Sequence, residues 1–243
     1  MKIAESAKII GIGQEGINTI DSISNKLNKN LDLEKININQ DVDKEYVRTL
    51  LDGVEILFLT YSIENKKACE IVKAIGYMAG ERRVLSIGLN SSTKINTDEF
   101  NINREFNISD ENRDELLSLI NMMLNSMLDT CMINIDLTDI KEVLASDKGI
   151  KYSYNEFSNN SSNEEIVKFL FDNIKQSGEE LICKKGIILL EMGSNDFKSE
   201  DMIGLNDLLT LIQEANDETY ESIFSMYLKE ELQGKVKVGL IFN

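Results

Sequence analysis

The sequence predicts an α/β protein: a first domain with a mostly parallel sheet, a long central helix, and a smaller α+β domain behind it. Three observations predict this. Short apolar runs alternate with helix-period segments through the N-terminal part. A broad apolar pattern of period 3.6 then occupies the stretch from Asp110 to Leu128. Beyond Asn163 the order is helix, strand, helix, strand, strand.

Lys8-Ile9-Ile10 reads as the first strand. It runs into Gly11-Ile12-Gly13-Gln14-Glu15-Gly16-Ile17-Asn18, followed by a helix expected from Thr19 to about Leu27. A glycine loop between a strand and a helix start is where a phosphate sits. The spacing G-x-G-x-x-G also fits a Rossmann-like dinucleotide loop, or a tight turn with no ligand. Leu31 to Asn39 alternates as a second strand. The acid that a ribose contact needs comes only late, in Asn39-Gln40-Asp41. Asp43 to Leu51 is expected as a helix. Val54-Glu55-Ile56-Leu57-Phe58-Leu59 reads as a third, buried strand. Ala68 to Met78 reads as a helix and Arg82 to Leu89 as a strand. Lys66, Lys67, Arg82 and Arg83 are candidate phosphate contacts or solvated surface. Asn90 to Asp110 reads as polar and irregular.

The central helix carries Leu116, Leu117, Leu119, Ile120, Met122, Met123, Leu124, Met127 and Leu128. Its acidic front suits a helix N-terminus. From Asp110 it would run roughly 30 Å at 1.5 Å per residue, and its apolar residues cover more than one face, so burial on several sides is expected. Asn134-Ile135-Asp136-Leu137-Thr138-Asp139 then opens a short helix to Leu144, with Asp136 or Asp139 suited to capping it. Gly149 to Ser162 reads as an extended entry into the last domain. Asn163 to Ser177 and Met202 to Ala215 read as helices. Lys185 to Met192, Ser222 to Tyr227 and the run ending at Phe242 read as strands.

Composition narrows the function classes. The chain has 243 residues, 42% hydrophobic and 28% charged, the profile of a soluble globular protein. Net charge is −16, from 42 acidic and 26 basic residues, which argues against nucleic acid or an anionic membrane as a partner. There is no apolar run of spanning length and no signal-type N-terminus, so a cytoplasmic protein is expected. Cys69, Cys131 and Cys183 are odd in number and far apart, consistent with reduced, semi-buried thiols. Histidine is absent, which removes Ser-His and Cys-His nucleophiles and His-based metal sites; no metal site is expected.

Two stretches carry a family resemblance. One is the Asn134-x-Asp136-x-x-Asp139 loop behind the long helix. The other is Glu231-Leu232-Gln233-Gly234-Lys235-Val236-Lys237-Val238. Together, and in this order, they resemble the tubulin/FtsZ superfamily, FtsZ in particular, over nearly the whole chain. The resemblance implies three parts: residues 1–109 as a GTPase-type domain, 110–145 as core helix, loop and short helix, and 146–243 as an FtsZ-type C-terminal domain. It implies that Asn134, Asp136 and Asp139 act in trans on a neighbour's GTP. It also places Gly11, Gly13, Gly16 and Asn18 in a phosphate loop.

The phosphate half departs from the family. In FtsZ the first loop is nearly all glycine, whereas here Gln14 and Glu15 intervene, and Glu15 brings like charge to phosphate. The family's Gly-Gly-Gly-Thr-Gly-Thr-Gly run after the third strand is replaced by Thr60-Tyr61-Ser62-Ile63-Glu64-Asn65-Lys66-Lys67. No glycine remains there to bring backbone amides against phosphate. Each charge-assisted hydrogen bond lost costs about 1.5–3 kcal/mol. GTP or GDP is therefore expected to bind weakly or not at all, with Mg2+ only if nucleotide binds, and efficient GTPase activity is not expected. The expected role is a cytoskeletal or division-associated scaffold that meets itself, or FtsZ-like filaments, through the longitudinal face. An active GTPase with a reduced pocket is the alternative, and a Rossmann-like binder of another small ligand a third reading. A tail peptide of the kind by which family members grip membrane adaptors is not expected here, nor is direct membrane binding.

Overall fold

The computed structural model describes residues 7–29, 31–94, 100–128, 131–144, 149–178, 185–194, 201–216 and 221–243. The chain divides into two compact units, Met1–Leu117 and Ser118–Asn243. The reading of Cys183 falls outside the described residues.

The first unit is built on a parallel sheet of five strands: β1 (Ala7–Ile12), β2 (Asp32–Ile36), β3 (Ile56–Tyr61), β4 (Leu85–Asn90) and β5 (Arg104–Asn107), in the order β2-β1-β3-β4-β5. β3 is central and buried at every position, which is why Ile56 to Leu59 is an unbroken apolar run rather than an alternating one. The connecting helices are α1 (Gly13–Ile23), α2 (Lys44–Leu50) and α3 (Lys66–Glu81). Asp43 starts α2 by accepting the Tyr46 N–H, and Asn65 starts α3 by accepting the Ala68 N–H. α2 and α3 cover the sheet face of Ile10, Leu57, Leu59 and Tyr61. α1 lies on the opposite face, the one to which Gly11 and Thr60 point.

Two expectations in this unit are corrected. α1 starts at Gly13, inside the glycine motif, and not at Thr19. The stretch expected to be irregular contains β5, parallel to β4 with Ile87 opposite Arg104 and Leu89 opposite Phe106. A buried arginine, Arg104, stands where alternation from Phe106 calls for an apolar residue, and that masks the pattern.

The second unit holds a mixed sheet of β6 (Ile150–Ser158), β7 (Lys175–Ser177), β8 (Lys185–Gly193), β9 (Glu221–Lys229) and β10 (Lys235–Phe242), ordered β7-β6-β10-β8-β9. Only β8 and β9 run parallel among these pairs. α6 (Asn163–Asp172) and α7 (Asp201–Asn216) cover the face of Ile188, Leu190, Val238 and Leu240. The segment from Gly149 to Ser162, expected as an extended entry, is largely strand β6, paired along its length to β10. α6 stops at Asp172, not Ser177; a capping box of Ser162 and Glu165 opens it, and β7 follows.

α4 (Arg113–Leu128) spans the boundary between the units in sequence. Its 16 residues make about 24 Å, shorter than expected because it starts at Arg113. Asn112 holds the chain just before it, accepting the Ser109 N–H and donating to the Asn107 carbonyl. Leu116, Leu117, Leu119, Ile120, Met122, Met123 and Leu124 are all buried, as their spread around the helix requires. In the second unit Leu119 and Met122 press on Gly239 of β10, where a Cβ would meet Leu119 Cδ1 at 2.6 Å. α5 (Leu137–Leu144) ends where the Asn243 side chain donates to the Val143 carbonyl. No helix among the described residues is long and apolar enough to cross a membrane.

Candidate functional site

In a parallel sheet ordered 2-1-3-4-5, the chain leaves β1 toward one edge and β3 toward the other. The carboxyl ends of these two neighbours therefore open a crevice, the usual ligand position in open α/β sheets. A cleft of about 390 Å³ lies there, lined by Glu15, Ser62, Glu64, Asn65, Lys66 and Lys67. One wall is the first turn of α1; the other is the loop from β3 to α3.

The glycines of the first wall have separable jobs. Gly13 opens α1 with φ +72°, a conformation that favours glycine. Gly16 lets the helix backbone lie on β3: a Cβ there would stand 2.1 Å from the Thr60 carbonyl oxygen. Gly11 is also tight, though less so, with Gly16 O at 2.9 Å from its built Cβ. Thr60 Oγ1 donates to Gly16 O at 2.8 Å and pins the contact. Gly11 and Gly16 thus serve helix-on-strand packing. Asn18 is exposed and accepts the Gln14 Nε2 at 2.8 Å, and Glu15 is exposed at the cleft. The α1 N-terminus has no side-chain cap.

The second wall uses its own amides. Ile63 N–H donates to Asn90 Oδ1 at 3.4 Å, Glu64 N–H to Ser62 Oγ at 3.4 Å and Asn65 N–H to Ser62 O at 3.2 Å. Ala68 N–H donates to Asn65 Oδ1 at 3.2 Å and Cys69 N–H to Asn65 O at 3.0 Å. A phosphate cradle needs such amides pointing outward and unused. Glu64 pairs with Lys94 at 3.2 Å, while Lys66 and Lys67 are exposed.

Beneath this loop is a buried polar network. Asn90, fully buried, also donates to Glu105 Oε1 at 3.4 Å, and the Tyr61 hydroxyl donates to Glu105 Oε2. Burial, then the Glu105 charge and hydrogen bond, hold the Tyr61 hydroxyl well above its ordinary value of 10.0. An acid whose folded value is raised stabilises the fold below its unfolded value and loses that contribution as pH rises past it. Stability should therefore fall above about pH 10, with a Tyr61 share of up to about 1.4 kcal/mol per pH unit. Urea titrations from pH 9 to 11 should show a steeper loss in the wild type than in Tyr61→Phe. Identical slopes would remove Tyr61 from the alkaline transition.

In the second unit, Asn134, Asp136 and Asp139 come together on one exposed segment. Asn134 Oδ1 accepts the Cys131 N–H at 3.0 Å, and Asp136 Oδ1 accepts the Asp139 N–H at 2.9 Å, capping α5. Asp139 sits in the first turn, where its charge suits the helix dipole. Met132, also exposed, is on the same segment. The chain here is fastened to β9: Met132 and Ile133 N–H both donate to Met226 O, and Met226 N–H returns to Ile133 O at 3.0 Å. The sequence held no signal for that bridge, since its halves lie far apart in the chain. Among the described residues no group of three or more His, Cys, Asp or Glu is placed to hold a metal.

No protein-family model matches the chain, and no curated protein matches it. Solved structures do. An empty FtsZ dimer from M. jannaschii aligns with TM-score 0.72 at 11% identity, over 98% of this chain and 88% of that one. TubZ of Bacillus thuringiensis serovar israelensis, in GDP-form protofilaments, aligns at 0.64 and 11%, over 98% and 85%. CetZ2 of Haloferax volcanii, in a GTPγS-bound protofilament, aligns at 0.61 and 12%, over 98% and 92%. The tubulin/FtsZ resemblance is thus borne out as fold: a parallel α/β sheet domain and a second, mixed-sheet domain of the same kind.

Proposed function

We propose that this chain is an FtsZ/tubulin-like subunit of a cytoskeletal assembly or scaffold that works with little or no bound GTP. It associates head to tail with a second copy, or with a related filament subunit, through the segment bearing Asn134, Asp136 and Asp139. The observation that carries this reading is the β3–α3 loop, whose amides at Ile63, Glu64, Asn65 and Ala68 already have acceptors within the protein. Opening them to phosphate would break those bonds and set Glu15 against the same charge. The fold is shared with proteins solved as protofilaments, and the acidic segment that would face a neighbour is exposed. A role in cell division and a cytoplasmic location belong to this same reading.

Sedimentation tests it. The chain should pellet alone, or with an FtsZ-like filament, to the same extent with and without GTP and Mg2+. Asp139→Ala, which leaves the Asp136 cap in place, should raise the critical concentration about tenfold, the loss of roughly 1.4 kcal/mol at the contact. Pelleting that requires GTP would overturn the reading.

A GTPase with a reduced pocket is favoured by one observation: the uncapped first turn of α1 faces the cleft. In that reading Asp136 and Asp139 orient water on a neighbour's GTP with Mg2+. Turnover would then rise with protein concentration and vanish in Asp139→Ala.

A further inference from the structure

The sheet of the second unit buries a carboxylate, with Lys237 and Tyr227 across from it on the neighbouring strands. Glu191 on β8 is 2% exposed, in a strand that otherwise reads Ile187-Ile188-Leu189-Leu190. Its Oε1 takes Lys229 Nζ at 2.9 Å and the Asn125 Nδ2 of α4 at 2.7 Å. A charge so placed needs both partners. It therefore fixes the last turns of α4 on the sheet.

The connections continue outward. The Asn125 carbonyl accepts the Cys131 thiol at 3.2 Å. The Cys131 N–H, in turn, donates to Asn134 Oδ1. An unbroken line of contacts thus joins buried Glu191 to the exposed segment, through one helix residue and one cysteine. The opposite side of that segment is held separately, by the Ile133–Met226 bridge to β9.

We infer that Asn125 is a positioning residue for the exposed segment from Cys131 to Asp139, holding it in register through its own bond to the buried side chain of residue 191. This rests on the reading of that segment as the contact with a neighbour. Asn125 touches no neighbour itself. Its contribution is to keep Asn134 and the α5 start in one arrangement before assembly, so that ordering them adds less cost on association.

The test reads the unassembled chain, so its outcome is independent of whether filaments form. Backbone hydrogen exchange is followed at Cys131, Met132 and Ile133, with β10 amides as the reference. Asn125→Leu keeps the volume and removes the bond to Glu191. Glu191→Gln keeps an acceptor for Asn125 and removes the charge. Exchange at the three loop amides should quicken about tenfold in Asn125→Leu, with β10 unchanged, and stay within about threefold of wild type in Glu191→Gln although that variant is the less stable. If Asn125→Leu does not fold, Cys131→Ala at its half-exposed position carries the test, with the same quickening at Met132 and Ile133. Loop exchange that is unchanged, or that follows global stability in every variant, would reduce the relay to ordinary core support and overturn the proposal.

Discussion

Gly16→Ala should lower the stability of the first unit by about 3 kcal/mol, a fall of about 10 °C in its thermal transition. The cause is backbone against backbone. The new methyl would stand 2.1 Å from the Thr60 carbonyl oxygen and 2.9 Å from its carbon, on the central strand. Neither atom is the end of a flexible side chain, so α1 must lift from the sheet. Lifting it also breaks the Thr60 hydroxyl bond to the Gly16 carbonyl. Gly53→Ala is the comparison: φ is +72° there and no atom lies within 4 Å of the built Cβ. It should cost only the left-handed penalty, about 1 kcal/mol. The pair of variants separates the functions of the motif. If the glycine served phosphate, Gly16→Ala would alter nucleotide affinity and spare the nucleotide-free fold. Thermal scans of the ligand-free protein that place Gly16→Ala at or above Gly53→Ala would refute the packing account.

Glu191→Leu should cost the second unit about 3 kcal/mol in urea unfolding. The substitution removes the carboxylate that Lys229, whose side chain is 19% exposed, and the buried Asn125 amide both bond. The lysine can turn partly to water, which holds the cost to the lower end of what breaking a buried pair produces. Adding Lys229→Met should return most of the loss, because a buried ion pair replaced by apolar groups of similar size is often neutral. The double variant still lacks the Asn125 bond to Glu191, so recovery should fall short of wild type by about 1 kcal/mol. A double variant no more stable than Glu191→Leu would mean that the charge pair is not the element that matters at this position.

Much of this was readable from local sequence. Asp43 and Asn65 stand as caps before their helices, and the buried run of β3 declares a central parallel strand. The exposed Asn134–Asp139 segment was legible because its residues are adjacent in sequence. What was not legible depends on partners distant in sequence. β6 contains Ser153, Tyr154 and Asn155 and so reads as polar; it is a strand because it pairs with β10, some eighty residues later, and the ladder supplies what composition does not. β5 is hidden by buried Arg104. α1 begins early because Gly13 takes a positive φ that converts an expected loop into the helix start. The sequence also named the loss of glycine after β3 but not how the gap was filled. The amide of Ile63 is taken by Asn90 from the next strand, a contact with no local signature. Likewise, nothing in the neighbourhood of Asn125 announces Glu191.

On the function proposed above, the two walls of the β1–β3 crevice do not cradle a triphosphate. Calorimetric titration of GTP with Mg2+ into the purified chain, with its nucleotide content measured beforehand, addresses that claim directly. The purified protein should carry no guanine nucleotide and give heats that fit no site tighter than about 1 mM, some 4 kcal/mol short of a micromolar site. Co-purified GDP, or a micromolar dissociation constant, would contradict it.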